Sequence, residues 1–206
     1  MRYTGPKNRL ARREGTDLSL KTVGSKAHAS LLKKLNIPPG QHGRSYKRKI
    51  SDYGMQLREK QKIKRMYGIS EKQMKTYFDH ANRAVGNTAE LLITFLEQRL
   101  DNVLFKLGFA PTRAAARQLV SHGHIEVNKK KVTIPSFQVS QKDVISFKRE
   151  KTSKIPYIAE LLEKKETPVP AWLERKDAKG VIKGQPSLEE FHDTINLQPV
   201  VEFYSR

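Results

Sequence analysis

Between Leu96 and Phe147 the hydrophobic period switches from helical to extended, and no other feature of the chain constrains the fold as tightly. Leu96, Leu100, Val103, Leu104 and Leu107 recur three and four residues apart, the apolar stripe of one amphipathic helix. Gly108 follows the last of them, where a left-handed cap costs little. Pro111 and Thr112 open a second helix, with Thr112 as its N-cap. Ala115, Leu119 and Val120 form its apolar face, and Gly123 stops it. His124 to Val127 then alternates polar and apolar, as a half-buried strand does. Asn128 to Lys130 can turn, and Lys131 to Ile134 can return. Pro135 ends that strand because it has no ladder donor. Val144 to Phe147 reads as a third strand.

The apolar positions account for a fold; the polar remainder suggests a partner. Arg99, Arg113, Arg117, Gln118, His122, His124, Lys129, Lys130 and Lys131 outnumber the acidic residues near them. Guanidinium forks match phosphate oxygens, and a helix starting at Thr112 adds backbone donors. A rigid basic surface of this kind suits structured RNA, which is recognised by shape, backbone and 2′-hydroxyls. Arg113 and Arg117 read as surface cations, so reversing their charge is expected to remove RNA binding and spare the thermal melt.

The whole chain shares this bias. Its net charge is +19 with an isoelectric point near 10.1, which calls for a polyanionic partner. Residues 1–90 carry +14, residues 91–156 carry +7 and residues 157–206 carry −2, so the tail is not the anchor. No basic amphipathic helix has the aromatic-rich face that would favour a membrane surface. No apolar run approaches the ~20 residues of a membrane span, and the start lacks a signal region. There are no cysteines, which excludes disulfides and thiolate zinc sites.

Upstream, residues 1–43 are punctuated by Gly, Pro and cations including Arg2, Lys7, Arg12 and Arg13, and predict an extended basic arm. Arg44, Lys47, Arg48 and Lys49 form a basic knot. Ser51-Asp52 can cap a helix through Arg65, with Met55, Leu57, Ile63 and Met66 on its apolar face. Arg58, Lys60, Lys62, Lys64 and Arg65 surround that helix without the Glu four residues ahead that a self-paired helix would use, which favours RNA contact. Ser70 and Gln73 form a capping box for the next helix. Downstream, Ile155 to Lys165 is amphipathic, Trp172 and Leu173 are expected to pack on the central module, Glu174 to Gln185 reads as a loop, and Ser187 opens a short helix.

The run RLDNVLFKLGFAPTRAAARQLVSHGHIEVN resembles the RNA-binding module named after bacterial-type small-subunit ribosomal protein four. YTGPK…RREG, PPGQHG, SDYG, LREKQKIKRMYGISEKQ and the terminal VEFYSR extend the resemblance to that family over essentially the whole chain. Many members carry cysteine pairs that bind zinc in the N-terminal arm. Here Asn8 and Ala11 stand at the first pair, and Ser25 and Ser30 in the region of the second, so the chain resembles the metal-free form. The resemblance implies a structural constituent of the small ribosomal subunit, cytoplasmic in the ribosome, that binds small-subunit ribosomal RNA and nucleates assembly of the subunit body. It also implies contact with small-subunit protein five, a contribution to translational accuracy, and basic residues at Arg44 to Lys49 near messenger RNA at the entry channel. Some members repress their own messenger.

Three strings imitate catalytic motifs. Arg99-Leu100-Asp101 is similar to a pseudouridine-synthase string but lies in a helical repeat and lacks the loop that should follow. His122-Gly123-His124-Ile125 and Lys151-Thr152-Ser153-Lys154 shuffle the letters of class I synthetase motifs. No phosphate loop or nucleophile–base set stands at motif spacing, and no ~150 residues remain for a separate catalytic domain. An RNA-modifying enzyme or a stress-type binder bearing the same module is thereby disfavoured. The expected fold is α+β: a mostly helical N-terminal domain and a small RNA-binding domain of two helices on a short β-sheet. The expected boundaries are residues 1–43 for the arm, 44–90 for a helical basic domain onto which the tail 198–206 docks, and 91–197 for the domain holding the module at about 96–156. No enzyme activity, cofactor, metal, membrane or small-molecule substrate is expected.

Overall fold

A computed structural model describes residues 3–43, 45, 49–163, 168–186 and 195–205. Among the described residues are ten helices and one five-stranded antiparallel sheet, the α+β class that the sequence predicts. The chain divides into two units, residues 1–93 with 188–206, and residues 94–187.

In the first unit, α1 (Lys7–Glu14) and α2 (Lys26–Leu32) occupy the stretch predicted as an extended arm. The correction has a polar cause. Asn8 Nδ2 donates to the Ala27 carbonyl at 2.9 Å, and the Arg12 guanidinium donates to the Ile37 and Pro38 carbonyls at 2.9 and 3.1 Å. His28 Nε2 and the Asp17 carboxylate lie 2.8 Å apart. These ties, with Ala11, Leu18 and Leu31 buried, order a segment too polar to order itself. Asn8 and Ala11 hold the positions of the resembled family's first cysteine pair, and Ser25 caps α2 by accepting from the His28 N–H at 3.2 Å. A structural zinc needs four nitrogen or sulfur ligands. These residues do not supply them, and hydrogen bonds hold the arm instead.

Ser51 caps α3 (Asp52–Met66), and the predicted Ser70–Gln73 capping box opens α4 (Glu71–Arg83). The buried stripe of α3 is Gln56, Lys60, Ile63 and Met66, whereas Met55, expected inside, is 51% exposed. A partner helix explains the difference. The C-terminal helix, Gln198–Tyr204 (α10 below), packs along α3 and brings its own polar groups. Gln56 Nε2 donates to Glu202 at 2.9 Å. Lys60 Nζ donates to Glu71 at 2.6 Å and sits 4.2 Å from the centre of the Phe203 ring. The Tyr204 hydroxyl donates to Glu71 at 2.8 Å while its ring stacks on Phe78 at 5.0 Å. Burial alone would raise the Glu71 carboxyl. Hydrogen bonds from Lys60, Lys64 and Tyr204 override it and hold the group down at about 2. Burial and the Glu71 carboxylate push the Tyr204 hydroxyl far up.

The second unit starts within α5 (Thr88–Glu97) and runs through α6 (Leu100–Lys106), α7 (Arg113–Ser121), β1 (Ile125–Val127), β2 (Lys130–Lys131), β3 (Val144–Phe147), α8 (Glu150–Ser153), α9 (Pro156–Glu163), β4 (Leu173–Lys176) and β5 (Lys179–Ile182). The sheet order is β2-β1-β3-β5-β4, with Ile125 opposite Phe147 and Val144 opposite Val181. Gly108 at φ 75° and Gly123 at φ 71° end α6 and α7 as the sequence predicts. In each, the next residue's N–H reaches back to a helix carbonyl, Phe109 to Leu104 and His124 to Leu119. The core joins Leu100, Leu104 and Leu107 of α6 to Leu119 and Val120 of α7, Ile125 and Ile145 of the sheet, and Trp172 and Leu173, as expected.

Three expectations change here. The stretch from Leu96 to Leu107 is two helices broken at Gln98 and Arg99, because residues 135–139 lie across the junction. Leu100 and Asp101 donate to the Phe137 and Pro135 carbonyls, and Val139 donates to the Gln98 carbonyl, which satisfies the end groups of both helices. The return strand is only Lys130–Lys131, since the residues after it serve that junction. Residues 174–185, expected as a loop, hold most of the β4–β5 hairpin, whose strands carry few apolar side chains of their own. The helix expected at Ser187 lies outside the described residues.

Gly180 in β5 leaves no room for a side chain: a Cβ there would lie 2.3 Å from Leu107 Cδ1. Gly180→Ala is expected to lower the unfolding free energy by about 1–3 kcal/mol, measured by chemical denaturation. In the first unit, Glu71 titrates lower in the folded chain than its ordinary value of 4.5. Its ionised form therefore adds stability above pH 4.5, and that stability is lost as the pH falls toward about 2. Denaturant melts across this range should show the advantage of the native chain over Glu71→Gln shrinking steadily; a constant gap refutes the assignment.

Candidate nucleic-acid interface

The interface is built on the break before α6. Arg99 is 0% exposed and grips Asp101 with two nitrogens, Nε at 3.0 Å and a terminal nitrogen at 2.8 Å. The Arg117 Nε lies 3.6 Å from the same carboxylate. Asn102 is also fully buried: its Nδ2 donates to the Glu97 carbonyl at 3.0 Å, and its Oδ1 accepts from Arg113 Nε at 2.8 Å. The Arg113 guanidinium stands 4.6 Å from the centre of the Phe105 ring. Thr112 caps α7 as predicted, accepting from the Ala115 N–H at 3.2 Å. Arg-Leu-Asp-Asn is thus a brace that orients α7. Arg99 is corrected from an RNA contact to an internal strut, since a sealed guanidinium offers a phosphate nothing. Asp101 is buried as that strut's partner.

What α7 presents outward is the row Ala114, Gln118, Ser121 and His122, spaced as one helix face. The row continues past Gly123. The His122 and His124 rings are 6.2 Å apart, and Lys131 lies across Gly123, where a Cβ would come within 2.4 Å of its Cε. The Lys148 N–H donates to the His124 carbonyl at 2.9 Å, which sets the backbone of Lys148, with Arg149 following it, beside His124. Thr152 Oγ1 and His124 Nδ1 are 3.3 Å apart and fix that ring. Glu126, opposite Lys131 in the ladder, and Glu150 are the nearby carboxylates. Lys148 and Arg149 are not among the sequence candidates. The strand register that pairs Ile125 with Phe147 is the signal that places them. Lys129 and Lys130 are exposed at the β1–β2 turn, at the other end of β1.

In the first unit the cations of α3 have acidic partners, most of them on other helices where spacing along α3 does not reveal them. Arg58 and Arg65 both donate to Glu14 of α1, whose side chain is completely buried. Lys60 and Lys64 share Glu71 of α4, and Lys62 meets Glu59 at 2.5 Å. Lys60 is 5% exposed and is corrected to a buried anchor of α10. Burial pushes the Glu14 carboxyl up against the pull of Arg65 and Arg58, and pushes the Arg65 guanidinium down against the pull of Glu14. Arg12 serves the arm internally, Lys7 is half-buried, and Arg13 and Lys49 are exposed. Arg2, Arg44, Lys47 and Arg48 lie outside the described residues. Among the described residues, no group of three or more acidic or histidine side chains is placed to hold a metal.

Comparison with known proteins joins the two units to two family models. The ribosomal protein S4/S9 N-terminal domain matches residues 2–97, and the S4 domain matches residues 98–145. The chain is 50% identical over 208 residues to small ribosomal subunit protein uS4 of Variovorax paradoxus, covering 100% of this chain and 99% of that one. It is 49% identical over 211 residues to the protein of the same name from Herpetosiphon aurantiacus, and 50% identical over 208 to that of Citrifermentans bemidjiense, with the same coverage.

The geometry of α7 separates brace from surface. Arg117→Glu sets a carboxylate against Asp101 and is expected to cost about 1–3 kcal/mol of stability, contrary to the sequence expectation of an unchanged melt. Gln118→Glu, one residue along on the exposed row, should stay within about 0.5 kcal/mol of the native chain by thermal or chemical melt.

Proposed function

The chain belongs to the small ribosomal subunit protein uS4 family, and from that premise we propose that it is a structural constituent of the small ribosomal subunit that binds ribosomal RNA directly. The family is structural rather than enzymatic. One observation carries the reading: a polar row on a braced helix and sheet, Gln118, His122, His124, Lys131, Lys148 and Arg149, in which Lys131, Lys148 and Arg149 supply the positive charge and, among the described residues, neither lysine is in an ion pair. Such a row costs no reorganisation to present. A folded RNA supplies the phosphates and 2′-hydroxyls that it lacks. Lys129 and Lys130 extend the contact, and exposed Arg13 and Lys49 add to it from the first unit.

The same reading takes in the finer role. Early binding by two separately folded basic units fits nucleation of the subunit body, because one protein then fixes two stretches of a long RNA. The residues around Lys49 are proposed to lie near messenger RNA at the entry channel, and the protein is proposed to contact small-subunit protein five and to influence decoding accuracy through that contact. Its place is the cytoplasmic ribosome.

Neutralising ~6–10 phosphates should make binding fall ~10³- to 10⁵-fold between 50 and 200 mM salt, extrapolating the duplex rule. A filter-binding titration against small-subunit ribosomal RNA measures this, and a flat response overturns the reading. Sedimentation of a tagged copy should place it with the small subunit at near one copy each.

A further inference from the structure

Two lysines sit where the backbone disfavours them. Lys129 has φ +63° in the two-residue turn between β1 and β2, and Lys142 has φ +72° in the turn leading into β3. Both are exposed. Left-handed backbone suits Gly and is tolerated by Asn, whereas a lysine side chain gains nothing from it. At the second place of such a hairpin turn Gly is the low-strain residue.

The surroundings fix both turns rigidly. Asn128 Nδ2 donates to Asp143 at 2.7 Å, and Asn128 Oδ1 accepts from the Val144 N–H at 2.9 Å. The other Asp143 oxygen accepts from the Ser140 N–H at 2.8 Å, and the Lys142 N–H donates to the Ile182 carbonyl at 2.9 Å. Lys129 and Lys142 therefore share one end of the sheet. Asp143 is engaged by Asn128 and Ser140, and Glu174 of β4 meets Lys176 and Lys183 at 3.5 and 3.6 Å. His124 and Lys148 stand at the opposite end of β1; His124 is four residues from Asn128, or about 13 Å along a strand. One phosphate cannot serve both ends.

We propose that this end of the sheet is a second phosphate-binding edge, on which Lys129 and Lys142 each engage a backbone phosphate of ribosomal RNA apart from those held by the α7 row. The proposal rests on the RNA-binding reading above and adds Lys142, which periodicity and spacing left unassigned. Backbone strain at exposed, over-determined turns is kept where the side chain has a task. A cation aimed at phosphate is a task that Gly or Asn cannot perform.

The test compares Lys129→Asn/Lys142→Asn with Lys176→Asn, an exposed lysine removed from the far end of β4, in the full chain with a small-subunit ribosomal RNA transcript. The double variant should keep or raise its melting temperature, since Asn accepts the left-handed backbone. It should bind roughly tenfold more weakly at 100 mM salt, with a log–log salt slope shallower by about 0.7–0.9 for each lysine removed. Lys176→Asn should leave the slope unchanged. Equal effects from both variants, or a salt slope untouched by the double variant, overturn the second edge while the steep response of the native chain still supports the α7 row. A native chain that ignores the transcript removes both.

Discussion

A buried guanidinium–carboxylate pair, Arg99 with Asp101, is the interaction on which the second unit depends. Two charges out of water are costly unless each finds a close partner, and removing one of such a pair costs about 3–5 kcal/mol. Here the pair sits where α5 stops and α6 starts, so it stabilises a break rather than a helix. The break lets residues 135–139 donate to and accept from both helix ends. It also places Asp101 under Arg117 and Asn102 under Arg113, which sets the direction of α7. The surface that α7 offers is a consequence of groups that no partner can touch.

The first unit applies the same economy of charge differently. A surplus of cations repels itself, and a compact fold must offset that. Glu14 and Glu71 each serve two cations of α3, and Tyr204 joins the second cluster through its hydroxyl. The basic helix is thus largely an internal structural element, and the charges left over lie on other elements. Formal charge along a sequence overstates what a partner meets; the carboxylates that matter are remote in sequence and close in space.

Much of the architecture was legible because its causes are local. Thr112, Ser51 and the Ser70–Gln73 box act within one turn of helix, and Gly108 and Gly123 announce their caps by composition alone. The packing of Trp172 and Leu173 followed from two large apolar residues with nowhere else to go. What escaped had non-local causes. Nothing near Arg99 says that residues 135–139 will cross it. The β4–β5 hairpin borrows its core from α6, as Gly180 against Leu107 shows. The arm folds on hydrogen bonds from Asn8 and Arg12 to carbonyls up to 26 residues away. On the candidate interface, Gln118, His122 and His124 were visible by type and spacing, whereas Lys148 needed the strand register and Arg99 needed its burial to be removed.

The chain has one tryptophan, and it lies in the core of the second unit. Its indole Nε1 is buried without a hydrogen-bond partner, so its emission is sensitive to the arrival of water. Fluorescence at the red edge of excitation therefore follows residues 94–187 alone, while far-ultraviolet dichroism sums the helices of both units. Two optical signals from the unlabelled protein thus suffice to time the melting of its two halves separately.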